Sequence, residues 1–102
     1  MLSTQELAYL DGLYEENCAL LRQLGRIPAP SRSEDRRASF LEDWLRREGF
    51  GTVFTDAQKN VIAEIGCADG GPVVIFAAHT DVVFPITDEL PMREEGGRLF
   101  AP

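Results

Sequence analysis

The sequence predicts an α/β fold in which helices cover a sheet. Three observations carry this prediction: two amphipathic helical patterns open the chain, two short strand patterns follow, and a run of six apolar residues comes next. This order is typical of the opening of a layered α/β domain. With 102 residues, the chain is long enough for one small domain, and we expect no second domain in residues 1–102.

Start signals and spacing predict the two helices. Ser3 and Glu6 match a capping box, as do Ser31 and Glu34. Apolar residues then recur every three or four positions. The apolar positions are Leu7, Leu10, Leu13 or Tyr14, Leu21, Leu24, Ala38, Leu41, Trp44 and Leu45. The glycines expected to end the two helices are Gly25 and Gly49. The arginines expected on a solvated face of the second helix are Arg36, Arg37, Arg46 and Arg47.

The period changes to that of strands after Gly51. Residues 52–54 and 60–65 predict two short strands, and residues 66–72 predict a turn. Residues 73–78 are apolar on both faces, which is typical of an interior strand covered on both sides by helices. Near the end, residues 95–97 predict the turn of a hairpin.

Charge and composition restrict the partners of the chain. Its net charge of −7 opposes binding to phosphate backbones, so nucleic acid is not expected as a partner. No apolar stretch is long enough to span a bilayer, and the N-terminal segment carries acids rather than the basic residues of an export signal. Cys18 and Cys67 form no CxxC pair and are expected to be free thiols in the cytoplasm.

The residues with the clearest chemical signal lie just after the apolar run. His79 is the only histidine in the chain, and Asp81 follows two positions later. In an extended segment, residues two apart point to the same side. A metal-binding imidazole usually donates its second N–H to a carboxylate or carbonyl, and His79 with Asp81 supplies both parts.

Three alternatives compete with a metal site at this position. A lone histidine is often structural. A hydrolytic triad needs a nucleophile on a sharp turn, and the sequence contains no G-x-S-x-G motif. Acids elsewhere could also ligate a metal, but their positions in turns or on the hairpin favour solvated loop acids. These acids are Asp56, Asp69, Asp88, Glu94 and Glu95.

Four segments together resemble the start of the dinuclear zinc exopeptidases and deacylases. They are "IPAPSRSEDRRASFLEDWLRREGF", "DAQKNVIAEIG", "VVIFAAHTDVVFP" and "MREEGGRLFAP". That family includes peptidase T, glutamate carboxypeptidase, acetylornithine deacetylase, succinyl-diaminopimelate desuccinylase and the aminoacylases. The resemblance runs from about residue 20 to the last residue, and "HTDVVFP" is its most specific part.

The resemblance implies that residues 1–102 are the N-terminal part of a three-layer αβα zinc-peptidase catalytic domain with a mixed sheet. It implies that His79 ligates one of two zinc ions and that Asp81 holds this histidine. The family's bridging aspartate, paired glutamates and remaining ligands have no counterpart in the chain, which is therefore expected to be inactive alone. Arg32 and Lys59 stand where the family often has glycine.

The resemblance also implies the partners. The full-length protein is expected to hydrolyse a short peptide or an N-acyl amino acid, and the chain is expected to pack with the remainder of its own catalytic domain. Alone, it is expected to self-associate through its uncovered apolar strand. The competing hypothesis is a non-catalytic α/β interaction or regulatory module derived from the same family.

Overall fold

In the computed structural model, residues 1–66 and 70–102 are described. These residues divide into two units: Met1–Ile27 joins Leu90–Pro102, and Pro28–Glu89 forms the other. The described residues contain three helices and two small antiparallel sheets, so the α/β class is confirmed. The three-layer arrangement and the single domain remain predictions. No helix within the described ranges is both long and apolar enough to cross a membrane.

The first unit begins with α1 (Thr4–Gly12) and α2 (Tyr14–Arg26). The predicted capping box is present: the Glu6 amide donates to Ser3 Oγ at 3.2 Å, and the Ser3 amide donates to the Glu6 carboxylate at 2.7 Å. The sequence suggested one continuous helix here, and this is wrong. The helix breaks at Leu13, directly after a glycine, and glycine costs a helix interior about 1 kcal/mol relative to alanine.

The predicted hairpin closes the same unit. Strands β3 (Arg93–Glu95) and β4 (Arg98–Phe100) pair antiparallel across Gly96 and Gly97. Both glycines have positive φ, 58° and 74°, which a two-residue turn of this kind requires. The Arg93 guanidinium lies 4.4 Å from the centre of the Phe100 ring.

The second unit packs one helix against one sheet. It contains α3 (Asp35–Arg47) and the antiparallel pair β1 (Thr52–Thr55) and β2 (Val61–Glu64), as the strand patterns predicted. Ala38 of α3 and Val53 of β1 are buried, and the Trp44 and Phe50 rings are 6.1 Å apart. Gly49, at φ 76°, follows the helix end as expected.

The second predicted capping box is wrong. Helix α3 starts after Glu34, and no side chain caps its N-terminus. The Glu34 carboxylate instead accepts from the Arg32 amide at 2.7 Å. The Ser31 hydroxyl is also engaged elsewhere, by Asp81. Spacing alone could not exclude this outcome, because Ser31 has a competing partner 50 positions away.

The predicted interior strand is also not observed. Residues 73–78 form no strand, and the exposed fractions of Val73, Val74, Ile75 and Phe76 rise from 65% to 95%. A strand that is apolar on both faces needs neighbours on both edges, and no segment of residues 1–66 or 70–102 pairs with this one. The sheets are both antiparallel rather than mixed. The predicted turn at 66–72 lies partly outside the described residues.

Candidate metal centre at His79

The segment that follows His79 is held by backbone contacts within the second unit. The Val82 amide donates to the Ala29 carbonyl at 2.8 Å, and Pro30 and Val82 form a parallel bridge. Ala29 is fully buried. These contacts hold the segment around Pro30 alongside the segment around Val82, so the loop before α3 lies close to Asp81.

Helix α3 supplies a second support. Arg37 Nη1 donates to the Thr80 carbonyl at 2.6 Å. The prediction of a solvated face is therefore wrong for Arg37, which is 8% exposed. The backbone is thus held on both sides of Asp81, by Arg37 at Thr80 and by Ala29 at Val82.

The structure brings the two predicted site residues together. His79 Nδ1 lies 3.0 Å from Asp81 Oδ1 and 3.2 Å from the Asp81 backbone oxygen. A carboxylate and a carbonyl can only accept hydrogen bonds, so Nδ1 carries a proton and donates it. In the neutral ring, Nε2 then holds the lone pair that a metal or a proton can take.

The carboxylate of Asp81 is shared between two donors. The Ser31 hydroxyl donates to Oδ2 at 2.5 Å, while His79 lies at Oδ1. The Ser31 hydrogen bond, followed by that of His79, lowers the pKa of the Asp81 carboxyl below its usual value. Asp81 is therefore ionised at neutral pH and accepts from both neighbours.

Of the two predicted site residues, only His79 has a free atom that could bind a metal. The His79 side chain is 87% exposed, and its Nε2 has no hydrogen-bond partner in the described part of the chain. Yet residues 1–66 and 70–102 contain no group of three or more His, Cys, Asp or Glu side chains placed to hold a metal ion. Among the described residues, His79 therefore offers one candidate ligand at this position.

Three of the five alternative acidic ligands have other partners. Glu94 pairs with Arg22 at 2.6 Å, and Glu95 pairs with Arg93. The carboxylate of Asp56 accepts from the Gln58 amide at 2.8 Å and the Asn60 amide at 2.9 Å. Asp69 lies outside the described residues. These contacts favour structural roles for the loop acids.

Sequence reasoning missed the two residues that support the pair, Ser31 and Arg37. Ser31 lies in a proline-serine loop, but its spacing to Glu34 suggested a helix cap. Arg37 lies among three other arginines of α3, and helical spacing alone does not tell which of them is buried. The signal that could have found Ser31 is its place in one of the segments shared with the family.

Comparisons with known proteins identify relatives of the chain. The chain is 43% identical over 74 residues to a succinyl-diaminopimelate desuccinylase of Methylorubrum extorquens, covering 66% of the chain and 19% of that protein. It is 34% identical over 82 residues to a LysW-lysine hydrolase of Deinococcus radiodurans, covering 78% of the chain and 21% of that protein. The predicted resemblance to the dinuclear zinc exopeptidases and deacylases is therefore confirmed, at moderate identity and over a partial N-terminal stretch.

The match has a limited extent. The chain spans about a fifth of the length of the curated relatives it matches. No family model matches the chain, and no solved structure gives a significant match. Both relatives are hydrolases by name, so the comparisons point to a hydrolase family.

Proposed function

We propose that this chain contributes His79, as a zinc ligand, to a two-zinc hydrolase that cleaves an N-acyl amino acid or a short peptide. The observation that carries the proposal is the contact between His79 Nδ1 and Asp81 Oδ1, at 3.0 Å. It leaves Nε2 with a free lone pair in a chain whose relatives are hydrolases.

The role of each residue follows from its protonation. Asp81 holds the Nδ1 proton of His79 in place, which orients the ring and makes Nε2 a better donor. Ser31 and Arg37 hold Asp81 and the backbone beside it. When bound, zinc supplies Lewis-acid polarisation of a carbonyl and lowers the pKa of water.

Under this proposal, residues 1–102 do not supply enough ligands for a complete zinc site. A catalytic zinc takes about three protein ligands and keeps one position open. His79 is a single ligand, so we propose that the others come from the remainder of the same catalytic domain and that residues 1–102 are inactive alone. We propose a cytoplasmic location. Cys18 is a free cysteine, and Cys67 lies outside the described residues.

Within the two substrate classes, the N-acyl amino acids have the better support. One relative is named for removing a succinyl group and another for hydrolysis of a lysine conjugate. Both names describe removal of an acyl group or conjugate from an amino compound. We propose the same class here, with dipeptides as the comparison substrates.

The second hypothesis is a non-catalytic α/β interaction or regulatory module derived from the same family. The coding sequence after residue 102 separates the two hypotheses. A stop codon there supports the module, whereas further acidic and histidine ligands support the enzyme.

Activity assays test the proposal directly. The full-length protein should hydrolyse N-succinyl amino acids with zinc, and His79→Ala should abolish turnover. Purified residues 1–102 should show no hydrolysis under the same conditions. Zinc-dependent turnover by residues 1–102, or wild-type turnover by His79→Ala at limiting zinc, would disprove the assignment of His79.

A further inference from the structure

We infer that Ser31 is a positioning residue for His79 and acts through Asp81. The Ser31 hydroxyl donates to Asp81 Oδ2 at 2.5 Å, and Asp81 Oδ1 lies 3.0 Å from His79 Nδ1. The two carboxylate oxygens are therefore divided between two donors. Nothing in the family resemblance described above assigns this role to the serine.

The division matters because a carboxylate rotates easily about its terminal torsion. That torsion has a broad distribution in aspartate. A single hydrogen bond to His79 would leave the carboxylate plane free to turn away from the ring. The second bond, from Ser31, fixes the plane in the orientation that keeps Oδ1 at Nδ1.

Ser31 is itself held close to Asp81 by the backbone. The parallel bridge between Pro30 and Val82 holds the segment that carries Ser31 alongside the segment that carries Asp81. The Ser33 amide donates to the Pro30 carbonyl at 2.8 Å, which closes a turn around Ser31. The backbone of this loop therefore places the Ser31 hydroxyl beside the Asp81 carboxylate, and no contact from α3 is needed.

The consequence is control of the histidine tautomer. With Asp81 fixed, the ring proton stays on Nδ1 and the lone pair stays on Nε2. Without the Ser31 hydroxyl, the carboxylate is free to turn. The Asp81 backbone oxygen, at 3.2 Å, is then the remaining acceptor at Nδ1, and the share of the Nε2–H tautomer rises. This inference rests on the proposed function for its purpose, but the tautomer itself requires no metal and no activity.

The single histidine makes the test unambiguous. The chain is labelled with ¹⁵N-histidine, which gives one pair of ring signals, from His79. Spectra are recorded without metal, at a pH high enough to keep the ring neutral. In the wild type, Nδ1 should carry the proton. In Ser31→Ala, the ratio of the Nδ1–H to the Nε2–H tautomer should fall roughly 3- to 10-fold, the change that one hydrogen bond produces.

Matched variants separate positioning from a general effect on folding. Ser33→Ala removes a hydroxyl from the same loop and should leave the ratio unchanged. Ser31→Thr and Ser31→Val have the same shape, so the threonine should keep the wild-type ratio and the valine should lose it. This second pair decides the matter if Ser31→Ala does not fold, as judged by circular dichroism.

The inference is overturned if Ser31→Ala and Ser31→Val keep the wild-type tautomer ratio. It is also overturned if Ser31→Thr changes the ratio as much as Ser31→Val. A failure of the proposed function looks different: the full-length protein would show no zinc-dependent hydrolysis while the tautomer ratios still followed the Ser31 hydroxyl.

Discussion

Arg37 donates a hydrogen bond to the backbone oxygen of Thr80, 2.6 Å away and 43 positions along the chain. Burial lowers the pKa of the Arg37 guanidinium. The contact joins α3 to the residue between His79 and Asp81. The site therefore depends on a charged side chain that is not itself part of it.

Removal of this contact should destabilise the second unit. Arg37→Met keeps much of the apolar stem but leaves the Thr80 carbonyl without its charged donor. We expect a loss of roughly 1–3 kcal/mol in the free energy of unfolding, measured by urea denaturation. Arg36→Met, at an exposed neighbour on the same helix, should change it by less than about 0.5 kcal/mol. Equal losses in the two variants would show that the Thr80 contact contributes nothing.

Asp81→Asn should weaken zinc binding by the full-length protein. The substitution keeps the shape of the side chain but removes the charge that holds the Nδ1 proton of His79. We expect a loss of roughly 10- to 100-fold in zinc affinity or turnover at limiting zinc. Asp43→Asn changes an exposed acid of α3 that is not a candidate ligand and serves as the control. Wild-type zinc affinity in Asp81→Asn would make the His79–Asp81 pair a structural coincidence.

Lys59 should tolerate glycine better than alanine. Lys59 and Arg32 are non-glycine residues with positive φ, 70° and 73°. They are the two positions at which the sequence resemblance leads us to expect glycine. A side chain in this left-handed region costs about 1–2 kcal/mol, partly offset by the greater freedom of glycine in the unfolded chain. The exposed ion pair of Lys59 with Asp35 is lost in both variants.

The comparison of the two variants therefore isolates the backbone. We expect Lys59→Gly to unfold at a higher temperature than Lys59→Ala, by a difference of about 1 kcal/mol in free energy. Differential scanning calorimetry measures it. Greater stability of the alanine variant would contradict the left-handed conformation at residue 59.

Asp56 should make stability depend on pH. Its carboxylate accepts from the Asn60 side chain and from the Asn60 and Gln58 amides, and these hydrogen bonds lower its pKa below the ordinary value of 3.8. A lowered folded-state pKa adds stability above the unfolded-state pKa, and this stability is lost as pH falls through the folded-state value. Asp56→Asn should therefore be less stable than the wild type at pH near 6, with a smaller difference at lower pH.

Urea denaturation at pH near 6 and at a lower pH measures the free energy of unfolding of both proteins. The control is Asp88→Asn, which removes the charge of an exposed acid outside this turn. A constant difference between Asp56→Asn and the wild type would show that the Asp56 hydrogen bonds do not depend on its charge.

The isolated chain should self-associate. Residues 73–76 are apolar and exposed, and an extended segment without neighbours can pair with a second copy. The net charge of −7 opposes non-specific aggregation. Ile75→Lys should lower the average mass measured by light scattering at micromolar concentration. Val83→Lys, at another exposed apolar residue, should lower it less. A monomeric wild type that binds no hydrophobic dye would contradict the prediction.

Local patterns predicted the local structure. The capping box at Ser3, the strand patterns around Val53 and Ile62, and the hairpin at Gly96 all depend on neighbours within a few positions, and all were confirmed. The spacing of His79 and Asp81 also predicted their contact, because two positions along an extended segment bring such side chains to one side.

Partners that lie far along the chain were not predictable in the same way. Ser31 matched a capping box but bonds Asp81, and Arg37 matched a solvated face but bonds Thr80. The apolar run at 73–78 indicates that this segment is stabilised by burial. The sequence of the run does not identify the residues that would cover it. The four large apolar residues of the run are exposed in the described structure. Apolar composition therefore predicts that a segment tends to be buried, but not which residues it packs against.

The bidentate pair between Arg22 and Glu94 joins residues that are 72 positions apart. Bringing the ends of so long a loop together costs chain entropy, and each doubling of loop length adds about 0.6 kcal/mol. Helix α2 leaves the ribosome well before the hairpin that carries Glu94 has been made. During synthesis, the first unit therefore cannot assemble until the whole of Pro28–Glu89 has emerged. Until then, α1 and α2 lack the β3–β4 hairpin that completes the unit.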